Sequence, residues 1–288
     1  MITEEQREKL LILLEEVVEK MGYIFQKSLL KFGQNANETS TILSLRQMYD
    51  LSDGIYILLK HNSNDSAISV IRSLFEVEVG LEYLLQEDNE IRNLQFLFFY
   101  NKKKEEELLS NKSGTERHKK RLESFELDKN VNEEMLNDFK NNQINEDDLT
   151  AIQNTLKYDG YKKIRKYYNR NDVNKKHWFS LLNGPKTIKE LVEKLGMHTQ
   201  YEVNYNLWSS ISHGWDIVNR HLIFDELQAE IISKRNPKGL SENIMNTITI
   251  TRRGILKYTK SKLPEENQKI SVWYINFSNR YQSVLKDL

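Results

Sequence analysis

The chain contains no cysteine. That excludes disulfides, thiolate zinc centres and cysteine nucleophiles, and it suits a reducing compartment. Proline is scarce, with three among 288 residues, at 185, 237 and 264. Long stretches therefore keep every backbone N–H that a helix needs. An excess of either charge is missing as well: 42 Lys and Arg balance 42 Asp and Glu. No global field favours nucleic acid or a membrane surface, so any such surface has to be a local patch. Long apolar runs are also missing. The longest cluster, Phe96 to Tyr100, falls far short of the roughly 20 residues of a membrane span. Acids interrupt the apolar positions of MITEEQREKLLILLEEVVEK, and no small-residue cleavage site follows, unlike a secretory leader. The expectation is a cytoplasmic protein without a membrane partner. Its abundance of Asn, Lys and Ile is the compositional bias expected of a protein from an AT-rich bacterial genome.

Cofactor signatures are absent too. There is no G-x-x-x-x-G-K, G-x-G-x-x-G or G-x-S-x-G. The histidines at 61, 118, 177, 198, 213 and 221 form no H-E-x-x-H and no Glu-x-x-His. Neither a metal nor a cofactor is expected.

What is present is helical periodicity. Thr3 and Gln6 form a capping-box pattern ahead of Leu10, Leu11, Leu13, Leu14, Val17, Val18 and Met21, so a first helix runs to about Leu30. A second covers roughly Glu38 to Lys60. HNSND breaks it, and Asp65 or Ser66 caps a third that runs to about Leu85. A fourth starts near Asp88. From Asn101 to Asn174 charge is dense and apolar residues thin out, which predicts exposed helices. Further helices are expected near Gln200–Phe224, Glu226–Ser233, Ser241–Ser261 and Glu265–Lys286. Within these, ITITRR alternates like a strand but has helical neighbours. The predicted fold is an all-α multi-helix bundle with a charged, partly exposed helical insertion in the middle. Residues 1–100 and 176–288 form the two halves of one core, and 101–175 the insertion.

Two polar stripes stand out. On the third helix Ile68, Ile71, Leu74, Phe75, Val77, Val79, Leu81 and Leu84 wrap most of the circumference, which predicts a central helix. The remaining strip carries Ser69, Arg72, Ser73, Glu76, Gly80 and Tyr83. Charge on a central helix needs partners, because burying it unpaired costs several kcal/mol, of order 3–5. Arg72 and Glu76 are either an i,i+4 ion pair at a groove edge or part of a site. Glu78 and Glu82 fall inside the apolar arc, which calls for exposure at a helix end or pairing with a basic helix. On the Gln200–Phe224 helix, Leu207, Trp208, Ile211, Trp215, Val218 and Leu222 form the apolar face. Opposite them Ser209, His213, Asp216 and Arg220 share one ridge with spacings of four, three and four. That ridge is either a solvated face or the wall of a groove facing Arg72 and Glu76. In the second case His213 can act as general acid or base near neutral pH. Arg72 and Arg220 would bind phosphate, with Glu76, Ser209 and Asp216 around them.

AISVIRSLFEVEVGLEYLL together with YNLWSSISHGWD resembles a family of uncharacterised bacterial helical proteins of unknown function. In that family an Arg-x-x-x-Glu helix pairs with a later Tyr…Ser…His helix. The resemblance covers roughly Leu43–Leu85 and Tyr201–His221. It implies a helical fold and singles out Arg72, Glu76, Tyr205, Ser209 and His213. A second resemblance, carried by RNDVNKKH, is to the helical HEPN-type ribonucleases of toxin and phage-defence systems, which place Arg and then His on one helix, often across a dimer. It singles out Arg170 and His177.

The stretch from Tyr158 to Trp178 interleaves aromatics with cations, including Tyr161, Lys162, Lys163, Arg165, Lys166 and Tyr167. That composition suits stacking on bases beside phosphate contacts. It equally suits an amphipathic helix with snorkelling lysines. The functional expectation is an RNA-directed protein, a candidate metal-independent ribonuclease toxin of bacterial defence, with RNA, a second copy or a cognate antitoxin as partner. The alternative is a non-enzymatic helical module that holds a peptide or small ligand in the same groove.

Overall fold

The computed structural model describes residues 3–32, 38–86, 89–141, 144–170, 175–212, 222–225, 228–232, 235 and 239–287. The fold is all-α. Contacts divide the chain into two compact units, one built from residues 1–89 and 187–288 and the other from 90–186.

In the first unit, α1 (Glu4–Phe32), α2 (Thr39–Lys60) and α3 (Asn64–Leu84) come from the N-terminal segment. Thr3 and Gln6 close the expected capping box: the Gln6 N–H donates to Thr3 Oγ1 at 3.2 Å and the Thr3 N–H to Gln6 Oε1 at 2.7 Å. The N-cap of α3 is Ser63, not Asp65 or Ser66, and its side chain makes no cap hydrogen bond. The apolar positions read for the first helix are buried, as are those of α3 apart from Val77, which is half-buried.

The C-terminal segment of this unit begins with α9 (Ile188–Lys194), capped by Thr187, whose Oγ1 accepts from the Glu190 N–H at 3.1 Å. Then α10 (His198–Gln200), a π turn (Tyr201–Tyr205) and α11 (Asn206–Ser212) follow without a break. Next come β1 (Leu222–Asp225) and β2 (Gln228–Ile231), paired antiparallel with Leu222 opposite Ile231 and Asp225 opposite Gln228. This hairpin replaces the helices expected to reach Phe224 and to run from Glu226. Leu-Ile-Phe is a short apolar run with good strand formers, which periodicity alone does not separate from helix. Leu222 thus lies on a strand and not on the apolar face of a helix. Last are α12 (Leu240–Lys262) and α13 (Asn267–Lys286). ITITRR is helical, within α12. Around α3 pack α2, α9, α11 and α12, and α1 packs on α2, α12 and α13. At Gly254 of α12 an added Cβ would lie 2.5 Å from the Met48 methyl, so glycine allows α2 and α12 to approach closely.

The second unit holds α4 (Asn89–Asn111), α5 (Glu116–Glu126), α6 (Glu133–Lys140), α7 (Glu146–Leu156) and α8 (Lys162–Tyr168). Thr115, Asn132 and Asn145 cap α5, α6 and α7 through their side-chain oxygens. Its core is aromatic: Phe98 meets the edges of Tyr161 and Tyr168, each at 5.5 Å between ring centroids. No residue of α6 is buried, and of α5 only His118 is. Among the described residues no helix is long and apolar enough to cross a membrane.

Candidate functional site

The polar strip of α3 is one turn per step, Ser69, Arg72 or Ser73, then Glu76, and it faces the π turn and α11. At the π turn the Tyr205 ring is buried against Phe75 of α3, at 5.8 Å between centroids, and Tyr201 stacks on it at 5.0 Å and 21°. Trp208, one turn further on, is buried and meets Phe75 edge-on at 5.9 Å. With the ring fixed, the Tyr205 hydroxyl reaches across to α3. It donates to Glu76 Oε1 at 2.7 Å and accepts from Arg72 Nη2 at 3.3 Å. Arg72 Nε donates to the same Glu76 oxygen at 3.1 Å. The guanidinium carbon lies 5.2 Å from the Tyr205 ring centroid. Further along, the Ser212 hydroxyl donates to the Trp208 carbonyl at 2.7 Å, and its oxygen lies 3.3 Å from Ser69 Oγ.

The electrostatics follow from burial and from these partners. Burial, reinforced by the neighbouring Glu76 carboxylate, pushes the Tyr205 phenol up to about 12, with Arg72 pulling the other way. Tyr205 is therefore a neutral donor at physiological pH. Burial pulls the Arg72 guanidinium down, but Tyr205 and Glu76 outweigh it and hold it above its ordinary value. The triad is a carboxylate, a cation and a phenol sharing one set of hydrogen bonds at the edge of the core.

The residues selected from the sequence fall into three groups. Arg72, Glu76 and Tyr205 come together, with Ser209 half-buried on α11 one turn beyond Tyr205. His213, Asp216 and Arg220 lie outside the described residues, as do Trp215 and Val218. Leu207, assigned to the apolar face, is 53% exposed. The face turned to α3 runs through the buried Tyr205 and Trp208 and the half-buried Ser212, so Leu207 points away from α3. Ser212 was not singled out from the sequence; its spacing of seven from Tyr205 and four from Trp208 was the available signal.

The third group belongs to the second unit. Tyr161, Ile164 and Tyr168 are buried, while Lys162, Lys163 and Lys166 are exposed around them, the pattern of an amphipathic helix with solvated lysines. Arg165 donates to the Leu156 carbonyl at 2.6 Å, and the Tyr167 hydroxyl to Asn183 Oδ1 at 3.0 Å. Arg170 lies past the C-cap of α8 with its guanidinium over Tyr167. His177 has extended backbone and stacks on Phe179 at 4.8 Å. Neither is on an α-helix, so the shared helix that the HEPN resemblance requires of Arg170 and His177 is not found at either end of RNDVNKKH. Among the described residues no group of three or more His, Asp and Glu could hold a metal ion.

Fold and site define an all-α protein in which an Arg-x-x-x-Glu helix is clasped by a later tyrosine-bearing helix. The chain belongs to the family of unknown function DUF5677, which matches residues 40–229. That span contains the whole triad. Comparisons with curated proteins and with solved structures return no match.

Proposed function

We propose that the chain is an RNA-directed helical protein, a metal-independent ribonuclease acting as a toxin in bacterial cytoplasmic defence, with its chemistry at the α3–α11 cluster. The observation that supports this is the Tyr205 hydroxyl held between Arg72 and Glu76 at 3.3 and 2.7 Å. A preorganised cation and a phenolic donor suit a phosphodiester, whose cleavage needs charge stabilisation and proton transfer. In this reading His213, one residue beyond Ser212, takes the proton of a ribose 2′-hydroxyl as its oxygen attacks the adjacent phosphorus. The P–O5′ bond breaks, the 5′-oxygen takes up a proton, and a cyclic phosphate remains. Arg72 and Arg220 bind the phosphate oxygens, and Glu76, Ser209 and Asp216 orient the site. Lys162, Lys163, Arg165 and Lys166 offer further phosphate contacts, and a second copy or a cognate antitoxin would restrain the activity.

A specific observation favours the second reading, a non-enzymatic binding module. Nε and Nη2 of Arg72 are both spent inside the triad, as in a clasp that shapes a groove. Total RNA integrity after expression separates the two. The ribonuclease reading expects degraded RNA with wild type and with His177→Ala, and intact RNA with Arg72→Ala and His213→Ala. Intact RNA with the folded wild-type protein rejects it in favour of the module.

A further inference from the structure

A different polar constellation lies wholly within residues 90–186 and takes no part in the α3–α11 cluster. The C-terminal end of α7 and the neighbouring faces of α4 and α8 line an open cavity of about 330 Å³. Its charged walls are Lys102, Glu105, Lys157 and Arg165, three cations to one carboxylate. Glu105 is buried and ion-paired with Lys102, so that charge is already neutralised. The other two cations bond only to neutral acceptors. Arg165 Nη1 donates to the Leu156 carbonyl at 2.6 Å, and Lys157 Nζ reaches Asn154 Oδ1 at 3.4 Å. Neither has a carboxylate partner among the described residues.

Nearby acids do not cancel this charge. Glu106, beside Glu105, is occupied by Arg117 at 3.2 Å and by the Tyr168 hydroxyl at 3.1 Å. Asp159 is exposed and is not part of the cavity wall. The acids Glu146, Asp147 and Asp148 sit in the first turn of α7. From Asp148 to Lys157 is about 14 Å along the axis at roughly 1.5 Å per residue, beyond the ~8 Å screening length at physiological salt. Outside the rim, exposed Lys162, Lys163 and Lys166 add to the positive field.

The cavity also has a second character. Phe98 and Leu156 form an apolar wall, and Gln153 and Asn169 supply amide donors. Two uncompensated cations match the ≈ −1.5 to −2 charge of a phosphate monoester. The volume is at the small end of the ligand-pocket range, about 300–1,000 Å³. We propose that this cavity binds a phosphate monoester carried on a nucleoside-sized group. Arg165 and Lys157 hold the phosphate, and the Phe98–Leu156 wall contacts the remainder. The source is a free nucleoside monophosphate or the 5′-phosphorylated end of an RNA strand. The proposal shares Arg165 with the RNA contacts proposed above, but it concerns binding and not cleavage, so intact RNA in the cleavage assay leaves it standing.

The test is calorimetric titration of the full chain at low salt with adenosine 5′-monophosphate, adenosine, and a short oligoribonucleotide with and without a 5′-phosphate. Saturable binding of a phosphorylated probe, and not of its unphosphorylated counterpart, is expected. Binding of the free nucleotide alone assigns the site to small molecules, and binding of the phosphorylated oligonucleotide alone assigns it to RNA ends. Lys157→Glu, at an exposed position, should weaken binding by about tenfold or more with an unchanged melting temperature, and Arg165→Gln should do the same. If Arg165→Gln melts early because the Leu156 carbonyl loses its donor, Lys157→Glu decides alone. Equal binding of adenosine and its monophosphate, no binding of any phosphorylated probe, or wild-type affinity in Lys157→Glu overturns the proposal.

Discussion

Tyr205 has two jobs that a single substitution separates. Its ring fills space against Phe75, and its hydroxyl joins Arg72 to Glu76. Tyr205→Phe keeps the first and deletes the second, so it should destabilise by only about 1 kcal/mol, the net worth of a hydrogen bond, with somewhat more for bonds to charged groups. If the triad is chemical, the same variant should lose far more activity than stability; parallel loss in RNA cleavage and melting would mark it as structural. The phenol also sets a pH limit. Burial raises Tyr205, Tyr168 and Tyr258 each to about 12 from an ordinary 10. A folded-state value above the unfolded one means that the folded state holds the proton more tightly. The stability linked to these groups is complete below pH 10 and falls as pH rises from 10 to 12. An alkaline titration of tyrosinate absorbance should show these three ionising last among the 14 tyrosines, in step with unfolding. Ionisation of all 14 near pH 10 in a still-folded protein would contradict the burial. Arg72 and Glu76 were legible in the sequence because charge on a wide apolar helix demands a partner, whereas Tyr205 was singled out only by the family resemblance. Leu207 was misread because apolar identity was equated with burial, whereas the face turned to α3 carries Tyr205, whose hydroxyl is satisfied across the interface, and the half-buried Ser212.

Between elements, the contact of α3 with α12 carries the least expected chemistry. Glu78 is 1% exposed and is held by Arg253 through two bonds, Nε to Oε1 at 2.5 Å and Nη2 to Oε2 at 2.6 Å. One turn on, Glu82 pairs with Lys257. Both pairs advance by four residues along both helices, so α3 and α12 run in the same direction here and the pairs fix their register. This resolves the two acids inside the apolar arc of α3 in favour of a basic partner helix. The sequence contained both halves of the match, Glu-x-x-x-Glu and Arg-x-x-x-Lys, but nothing in a single chain says which helices will be neighbours. Arg253→Ala leaves Glu78 buried and unpaired and should cost about 3–5 kcal/mol. Glu78→Leu combined with Arg253→Met removes both charges and should recover most of that. Denaturant unfolding of the singles and the double measures the coupling. A loss below about 1 kcal/mol in Arg253→Ala would show that the pair behaves like an exposed one.

For the chain as a whole, helix content and bundle class follow from the scarcity of proline and from periodicity, both local properties. The partition into units is a property of contacts, which composition tracks only loosely. Charge density rises at Asn101, inside α4, whereas the contacts divide at residues 89 and 90. The apolar stretch of α4 before Asn101 serves the aromatic core of residues 90–186. The other unit is closed by both ends of the chain. Glu16 of α1 accepts from Trp273 Nε1 at 2.8 Å and from Arg280 Nη2 at 2.6 Å, both on α13, and Lys31 pairs with Glu265 at 2.6 Å. A cut between the two segments should therefore leave them joined by packing. The connection at 127–132 between α5 and α6 is the natural place for one: Leu127 is 84% exposed and Lys129 is exposed beside it. Brief trypsin digestion should cut first at Lys129, while α3, whose backbone is hydrogen-bonded and mostly buried, resists. The two fragments should co-elute in native gel filtration and separate only in denaturant. First cleavage within Ile68–Leu85 would mean that α3 is not protected by its burial, and fragments that part under native conditions would mean that the packing of α1 with α13 does not hold the unit together.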